Sequence, residues 1–293
     1  MTPLEWDLQQ VLKRNRDGSR GTQYERKKMV MQFAKDIHAL GFKGLRLRNV
    51  RQKHLQRVLT LWTSGDPGNR LVSAATLKNR LASLRWALEK MGKTNLLPDT
   101  NSALGIEART YLPEQSKAMT LTEDVLKRVT DNHVYHSFRM QAAFGLRRAE
   151  AMKIQPTWAD RGDRLVLKSS WTKGGRPREI PIRTQHQREV LNAAKAFAKN
   201  GSLIPAKKNY RAHLMTWEYQ TRRAGLPKTH GLRHAYAQRW YEELTGRKAP
   251  ILGGTPTNQL EGVLREKDRE ARLQIASELG HTRTDITNTY LGR

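Results

Sequence analysis

A single stretch of this sequence alternates in the way that strands do, whereas most other apolar residues recur at helical spacing. Residues 163–182, DRLVLKSSWTKGGRPREIPI, alternate on both sides of Lys173-Gly174-Gly175-Arg176. Alternation with period two predicts strands, and a Gly-Gly pair between two such runs predicts a hairpin. One hairpin forms only a small sheet, so the sequence predicts a mainly α protein with a small antiparallel β-sheet.

The first third of the chain predicts three helices. Apolar residues recur every three or four positions over 22–40 and 49–63, and Gly41 stands where a C-terminal cap is expected. The stretch SGDPGN at 64–69 then breaks the chain. Ser73 is suited to begin the third helix, whose apolar stripe consists of Leu77, Leu81, Leu84 and Leu88.

Periodicity is lost over residues 93–119, which carry Gly, Pro, Asn and Ser, so we expect a linker there. We assign residues 1–108 to a helical domain, 109–119 to the linker proper and 120–293 to a second domain. A two-domain organisation suits a chain of 293 residues. Helical patterns in the second domain cover a short helix capped by Thr122, then 133–154 with an interruption at Gly145, 185–199, 209–224, 231–244 and 258–279.

The balance of charge indicates what kind of partner the chain binds. The sequence has 54 Lys and Arg against 27 Asp and Glu, a formal net charge of +27. Both halves share this excess, since residues 1–108 hold 20 basic and 9 acidic residues and residues 109–293 hold 34 and 18. Such a field favours a polyanion. Because the sequence has no long apolar run, no basic leader and no cysteine, we expect a cytoplasmic protein without membrane contact, disulfides or thiolate metal sites.

Two short motifs carry residues suited to chemistry, and each has an ordinary alternative. Arg147 and Glu150 share one face of a helix, where the carboxylate can orient the guanidinium, although most such pairs are solvated surface contacts. His281 follows a helix end at Gly280. Tyr290 comes nine residues later on a short terminal segment that is able to move, and it is either a packing residue or a nucleophile.

A third motif, HGLRH, places two histidines and an arginine within five positions. His230 and His234 have the spacing of a helical metal pair, but the sequence offers no third ligand nearby. A basic helix face is the commoner explanation of such a motif. Alternatively, His230 and Arg233 both point at one phosphate, which the arginine clamps in bidentate fashion while the histidine transfers a proton.

Taken together and in order, these motifs resemble the tyrosine recombinases, the phage-integrase-like site-specific recombinases. The catalytic domain of that family has a G-L-R-x-x-E segment, a lysine on a β-hairpin, H-x-x-R, L-G-H and then a tyrosine. This sequence has GLRRAE, WTKGGRPREIPI, HGLRH, LGH and TNTY in the same order. The resemblance implies a two-domain DNA clamp, in which a helical core-binding domain precedes an α+β catalytic domain. The matching residues are Arg147, Glu150, Lys173, His230, Arg233, His281 and Tyr290.

The resemblance also implies how the site holds a phosphate. Arg147 and Arg233 would neutralise its nonbridging oxygens and the extra charge of the pentavalent transition state. Glu150 would keep the first of these arginines in one orientation. His230 is expected to act as a general base or to hydrogen-bond the phosphate, and His281 is expected to supply a further donor.

Covalent chemistry falls to the remaining two matching residues. Tyr290 would attack the phosphorus and form a 3′-phosphotyrosyl linkage, while Lys173 protonates the leaving 5′ oxygen. The linkage preserves the energy of the broken bond, and arginines take the place that Mg²⁺ has in other enzymes. The resemblance therefore implies DNA strand exchange with neither a metal nor a nucleotide cofactor.

The partners implied are a double-stranded DNA recombination site, further copies of the chain and accessory DNA-bending proteins. The copies are expected to be monomers when free and a tetramer in synapsis, associated with the bacterial nucleoid when bound to DNA. Phosphate contacts from Lys and Arg are expected to dominate binding and to weaken steeply with salt. Our candidates for these contacts are Lys78, Arg80, Arg85, Arg176, Arg222 and Arg223.

Two features depart from the family pattern. Between Arg233 and His281 lie 47 residues, which is more than the family leads us to expect, and residues 246–272 look like an insertion. The insertion is interpreted as a DNA contact, a contact with a neighbouring subunit or a tolerated surface loop. Only three residues follow Tyr290, so a family-type docking helix is not expected. Two alternative functions stay open: relaxation of DNA in the manner of a type IB topoisomerase, and DNA binding without cleavage.

Overall fold

The chain folds into two compact units, each with its own hydrophobic core. The computed structural model describes residues 1–64, 72–106, 112–226 and 228–293. The units comprise Met1–Thr110 and Tyr111–Arg293. The assignment of these units to a core-binding and a catalytic domain stays a prediction. The chain break predicted over 64–69 lies, except for Ser64, outside the described residues.

Three of the four α-helices described in the first unit begin at a side-chain cap. Thr2 forms a capping box with Glu5, and Ser19 and Ser73 each accept a backbone N–H in the first turn of their helix. The predicted leucine stripe of the last helix is buried, which confirms the helical pattern. The helices are α1 Pro3–Arg14, α2 Arg20–Ala39, α3 Gln52–Thr63 and α4 Ala74–Glu89.

The prediction of a linker is wrong for residues 93–106, which pack onto the first unit. Leu97 is buried there, and Arg85 of α4 donates to the Pro98 carbonyl at 2.7 Å and to Asn101 Oδ1 at 2.8 Å. Two 3₁₀ turns, Thr94–Leu96 and Ser102–Leu104, complete the segment. Such turns have no apolar period, so their sequence resembles that of a linker.

The second unit is mainly helical with one small antiparallel sheet, which confirms the predicted fold class. The predicted hairpin pairs Arg164 with Pro181 and Leu167 with Arg178, and residues 168–177 form the connection. In order, the elements are α5 Glu123–Lys127, α6 Asn132–Phe144, α7 Arg148–Lys153, α8 Pro156–Ala159, β1 Arg164–Leu167, β2 Arg178–Pro181, α9 Gln185–Ala198, α10 Tyr210–Arg223, α11 His230–Thr245, α12 Gly262–Glu278 and α13 Asn288–Leu291.

Helix α11 is the central element of the second unit, because α6, α12 and α13 all pack against it. Its buried residues lie on nearly all sides and include polar ones such as Arg233, His234 and Gln238. A helix surrounded in this way places polar side chains in the interior, where each requires a partner. The fold thus places the last four residues of the HGLRH motif inside the unit and leaves His230 at its surface.

The interpretation of residues 246–272 as a surface loop is right about the exposure of most of the segment but wrong about its irregular structure. It contains two 3₁₀ turns, Pro250–Leu252 and Thr257–Gln259, and the first eleven residues of α12. Ala249, Leu260, Asp268 and Arg272 are buried. The segment is therefore an integral part of the second unit.

None of the described helices combines the length and the apolar character that a membrane crossing requires.

Gly145 ends α6 in the left-handed conformation, with φ of +60°, at a point of close packing. A Cβ atom at this position would lie 2.5 Å from Cδ1 of Tyr236 on α11. Gly246 ends α11 with a similar φ of +70°, but there a Cβ atom would meet nothing within 4 Å. The two glycines thus share the backbone requirement and differ in packing.

We expect Gly145→Ala to lower the free energy of unfolding by about 2–4 kcal/mol, from left-handed strain together with overpacking. Gly246→Ala should cost only the strain, about 1 kcal/mol. Urea denaturation of the full chain, followed by tryptophan fluorescence, measures the difference. Equal losses in the two variants would show that contact with Tyr236 does not constrain this helix end.

Candidate active site

Arg233, on the first turns of α11, is completely buried and lies at the centre of the predicted site. Its Nη1 donates to the Gly145 carbonyl at 2.6 Å, its Nη2 donates to the Leu279 carbonyl, and its Nε donates to Tyr290 Oη at 3.2 Å. Burial lowers the pKa of Arg233 to about 10, against an opposing effect of Tyr290. The guanidinium is therefore a fixed cation at neutral pH.

Tyr290 and His281 form a triangle with this guanidinium. His281 Nε2 lies 3.2 Å from Arg233 Nη2 and 3.3 Å from Tyr290 Oη. Since a guanidinium only donates, Nε2 is the acceptor and the ring proton belongs on Nδ1. Burial, followed by the charges of Arg233 and Arg147, lowers the pKa of His281 to about 3. A neutral imidazole thus faces the phenol with an acceptor nitrogen.

The predicted contact between Arg147 and Glu150 is confirmed, and it is not a solvated surface pair. Arg147 precedes α7, its backbone N–H donates to Glu150 Oε2 at 2.7 Å, and its Nη1 donates to Oε1 at 2.9 Å. The Glu150 side chain is only 1% exposed, whereas that of Arg147 is 21% exposed. The carboxylate is thus fully used within the protein, and the guanidinium keeps an open edge.

Arg178 is a site residue that our sequence analysis did not select. It is buried on β2, where Nη1 and Nη2 donate to Glu150 Oε1 and Oε2 at 2.9 and 2.6 Å. Its Nε donates to the Glu278 carbonyl at 2.8 Å. Burial opposes ionisation of Glu150, but the hydrogen bonds and charge of Arg178, with a smaller effect of Arg147, lower the pKa to about 2. The alternation of β2 places Arg178 on the same inward face as Ile180, a signal that indicates a buried partner.

The two histidines of the HGLRH motif lie beside the ring of Tyr290. The ring centroid of His234 is 4.6 Å from that of Tyr290, and the ring centroid of His230 is 6.1 Å from it. Burial, then His230, Lys117 and Arg233, lowers the pKa of His234 to about 4. His230 reaches the surface, yet the packing around its ring, followed by Arg233 and Arg147, also lowers its pKa. Both imidazoles are neutral at physiological pH.

Tyr290 lies in α13 and is only 4% exposed, so in this structure it is docked against the unit. The side chain of Gln238 on α11 donates to the Tyr290 carbonyl at 2.8 Å. Its neighbour Leu291 is fully buried. The expectation of a terminal segment able to move is not what the packing shows, because the backbone and the hydroxyl of Tyr290 are both held.

Lys173 makes no hydrogen bond or ion pair with this cluster. It lies exposed in the connection between β1 and β2, and it makes no hydrogen bond or ion pair with any residue that the structure describes. Arg176, three residues further along the same connection, is also exposed. The hairpin thus presents both cations to solvent.

The candidate DNA contacts differ in how far their side chains are already used. Arg80 lies 3.6 Å from Asp36 and over the ring of Trp62, and Arg85 holds the turn at 98–101. Both are thus engaged within the first unit. Arg223 donates through Nε to the Arg128 carbonyl at 3.0 Å. Among the described residues, no hydrogen bond or ion pair engages the side chain of Lys78 or Arg222.

The cluster as a whole carries an excess of positive charge around a phenol. Three guanidinium groups, those of Arg147, Arg178 and Arg233, are matched by the single carboxylate of Glu150. The three imidazoles nearby are neutral, so they do not offset this positive charge. Such a site favours an anion, and it favours negative charge that develops on that anion during a reaction.

Two family models match the chain. The model for the N-terminal domain of phage integrases matches residues 1–97, and the model for integrases matches residues 109–239. A search of curated proteins found no match.

Three solved structures share the fold over nearly the whole chain. The XerH site-specific recombinase bound to palindromic difH substrate has a TM-score of 0.60 at 17% identity, covering 98% of this chain and 80% of its own. A lambda integrase dimer bound to a COC′ core site has a TM-score of 0.63 at 15% identity, covering 99% and 77%. The Tn1549 transposon integrase in complex with circular intermediate DNA has a TM-score of 0.56 at 13% identity, covering 99% and 95%.

The family models match a large part of each unit, and the chain shares the fold of the solved tyrosine recombinases. The motifs from GLRRAE to TNTY occur in the family order. The chain therefore belongs to the phage integrase family of tyrosine recombinases and is a site-specific recombinase.

Proposed function

We propose that this recombinase cleaves and rejoins DNA through a 3′-phosphotyrosyl intermediate on Tyr290. The observation that carries the proposal is the position of Tyr290 Oη, 3.2 Å from Arg233 Nε and 3.3 Å from His281 Nε2. A phenol needs neighbouring cations and a proton acceptor to react as a nucleophile at neutral pH. This tyrosine has both.

Arg147 and Arg233 are proposed to bind the scissile phosphate. The open edge of Arg147 supports a contact with a nonbridging oxygen, and Glu150 fixes the direction of that edge. The edge of Arg233 that faces Tyr290 supports the second contact. Guanidinium groups held in place before the reaction stabilise a pentavalent phosphorus without further reorganisation.

His281 is proposed to accept the phenolic proton. Its Nε2 already lies within hydrogen-bond distance of Tyr290 Oη. His230, in contrast, faces Tyr290 through a contact between the two rings. His230 therefore suits the other role considered for it, a hydrogen bond to the phosphate. A bound phosphate offsets the charge of Arg233 and Arg147, which raises the pKa of His281 and makes it a better base.

Cleavage is then balanced in atoms and charge. The Tyr290 oxygen forms a bond to phosphorus while the bond from phosphorus to the 5′ oxygen breaks, and the phenolic proton passes to His281. Lys173, on its exposed connection, is the proposed donor of a proton to the 5′ oxygen, and it reaches that oxygen in the complex with DNA. The phosphotyrosyl bond keeps the energy needed for rejoining, so the scheme uses neither a metal nor a nucleotide.

The proposed partners are double-stranded DNA and further copies of this chain. The XerH and lambda integrase structures hold DNA, and lambda integrase occurs in them as a dimer and as a tetramer on a Holliday junction. The net charge of +27 supports DNA binding through phosphates. Relaxation of the type IB topoisomerase kind and binding without cleavage are the alternatives that the following experiments separate.

We expect the protein to form a covalent adduct on a nicked suicide duplex that carries its recombination site, and Tyr290→Phe to form none. Only the phenolic oxygen is removed, so the fold and the salt-sensitive binding should persist. Denaturing gel electrophoresis detects the adduct and peptide mapping locates it. An adduct that survives in Tyr290→Phe would identify another nucleophile.

Arg147→Ala should reduce the cleavage rate by about 10²–10³-fold, the cost of removing one preorganised donor, while DNA binding stays nearly intact. Arg148→Ala is a matched control, since Arg148 is adjacent, exposed and paired, within the described part of the chain, with exposed Glu218. It should leave cleavage unchanged. Cleavage rates and filter-binding affinities are measured for the same variants. An equal loss of cleavage and of DNA affinity in Arg147→Ala would favour a protein that only binds DNA.

The second-order rate constant for cleavage should not fall through protonation of the base as the pH is lowered to about 5. This rate constant reports the protonation state of the free protein. The pKa of His281 is lowered to about 3, so its neutral form persists until the pH falls toward that value. Adduct formation at low protein concentration, with DNA affinity measured at each pH, tests this. A tenfold loss per pH unit starting near pH 6.5 would mean that a histidine with an ordinary pKa acts as the base.

A further inference from the structure

A further buried guanidinium, outside the active site, contacts the segment that carries Tyr290. Arg272 of α12 is only 6% exposed, and the ionisable group nearest to it is Asp268, whose Oδ2 accepts from Nε at 2.9 Å. The two remaining nitrogens donate to three groups on other parts of the chain. These are Asn288 Oδ1 at 2.9 Å, the Gly292 carbonyl at 3.1 Å and Thr257 Oγ1 at 2.9 Å.

Two of these acceptors mark the two ends of α13. Asn288 is its first residue, and Gly292 follows its last residue. Tyr290 lies between them, with its carbonyl held by Gln238. The guanidinium of Arg272 thus hydrogen-bonds to both ends of the helix and makes no hydrogen bond with Tyr290 itself.

Asp268 and Thr257 connect this guanidinium to the rest of the unit. Asp268 is buried, and its Oδ1 accepts from the hydroxyl of Tyr241 on α11 at 2.5 Å. Thr257 begins the second 3₁₀ turn of the segment 246–272. Arg272 therefore joins α13 to the central helix and to this segment.

The same segment also contacts the end of α13 directly. Gly292 has φ of +77°, and a Cβ atom there would lie 2.7 Å from the backbone nitrogen of Ile251. This close approach excludes any side chain at Gly292. Residues 246–272, which the sequence marks as an insertion, thus contact the tyrosine-bearing helix by both packing and hydrogen bonding.

We propose that Arg272 is a positioning residue, through which the segment 246–272 holds α13 so that Tyr290 of the same subunit stays beside Arg233 and His281. A helix of four residues is too short to be stable alone, so its position depends on tertiary contacts. Displacement of a nucleophile by about 1 Å costs on the order of 10²-fold in rate. This proposal rests on the proposed role of Tyr290 as the nucleophile.

The test uses the full chain with two variants and a control. Arg272→Met removes the guanidinium, and Asn288→Ala removes one of its acceptors at the start of α13 without exposing a buried charge. Arg269→Ala is the control, because Arg269 lies on the same helix, is exposed and pairs with exposed Glu266. Single-turnover cleavage of the suicide duplex is measured over a range of protein concentrations, which separates the maximal rate from the half-saturating concentration.

We expect the maximal rate to fall by about 10–100-fold in Arg272→Met and by less in Asn288→Ala, with the half-saturating concentration unchanged in both. Arg269→Ala should match the wild type. Amide hydrogen exchange should quicken in the peptide covering 284–293 and stay unchanged in peptides from α6 and α11. A general loss of stability would instead quicken exchange throughout the second unit.

Wild-type exchange over 284–293 and a wild-type maximal rate in Asn288→Ala and Arg272→Met would overturn the proposal. If Arg272→Met does not fold, Asn288→Ala decides alone, and a wild-type result in that variant has the same meaning. Failure of the proposed function is recognised separately, by an adduct that maps to a residue other than Tyr290 in the wild type. In that case the exchange of 284–293 still decides whether Arg272 holds α13.

Discussion

The second unit depends on one buried cation, the guanidinium of Arg233, and on the helix ends that accept from it. Gly145 terminates α6, and Leu279 stands at the C-terminal end of α12. The residue after Leu279 is Gly280, whose φ is +65°. Carbonyl groups at helix C-termini lack intrahelical partners and carry partial negative charge, so they suit a buried cation. The bonds from Arg233 join residues 88 and 46 positions away in the sequence. The cation that the site needs is therefore also what brings α6, α11 and α12 to one point.

Two buried carboxylates complete this arrangement by stabilising the supporting arginines. Glu150 accepts from both terminal nitrogens of Arg178, and the side chain of Glu278 accepts from the hydroxyl of Tyr236 at 2.7 Å and from Arg183. Arg178 links the two, because its Nε donates to the Glu278 carbonyl. Removing either partner of such a pair leaves an uncompensated buried charge, which is strongly destabilising. The supporting charges are thus neutralised among themselves, and the uncompensated positive charge remains beside Tyr290.

The sequence was sufficient where a local pattern or an ordered motif carried the information, and it failed where contacts are formed between distant segments. Helix spacing and caps such as Ser73 gave the elements, and the family order of motifs pointed to Arg233, His281 and Tyr290. Nothing local indicated that residues 93–106 fold back onto Arg85, or that an apparent insertion would pack against the last helix. Arg178 lay between these cases, since its inward position on a strand was readable but its carboxylate partner was 28 residues away.

Tyr290 is held by two sets of contacts that differ in what DNA binding does to them. Its hydroxyl accepts from Arg233 and faces His281, and these are the groups that a phosphate would engage. The ends of its helix are held by Arg272 and by the backbone at Ile251, which no phosphate at the site would touch. In the proposed mechanism, an incoming phosphate would therefore replace hydrogen bonds at the phenol while the contacts at the ends of α13 remain. On this proposal, the phenol would turn toward the phosphorus when its contacts with Arg233 and His281 rearrange, and no change of fold would be needed.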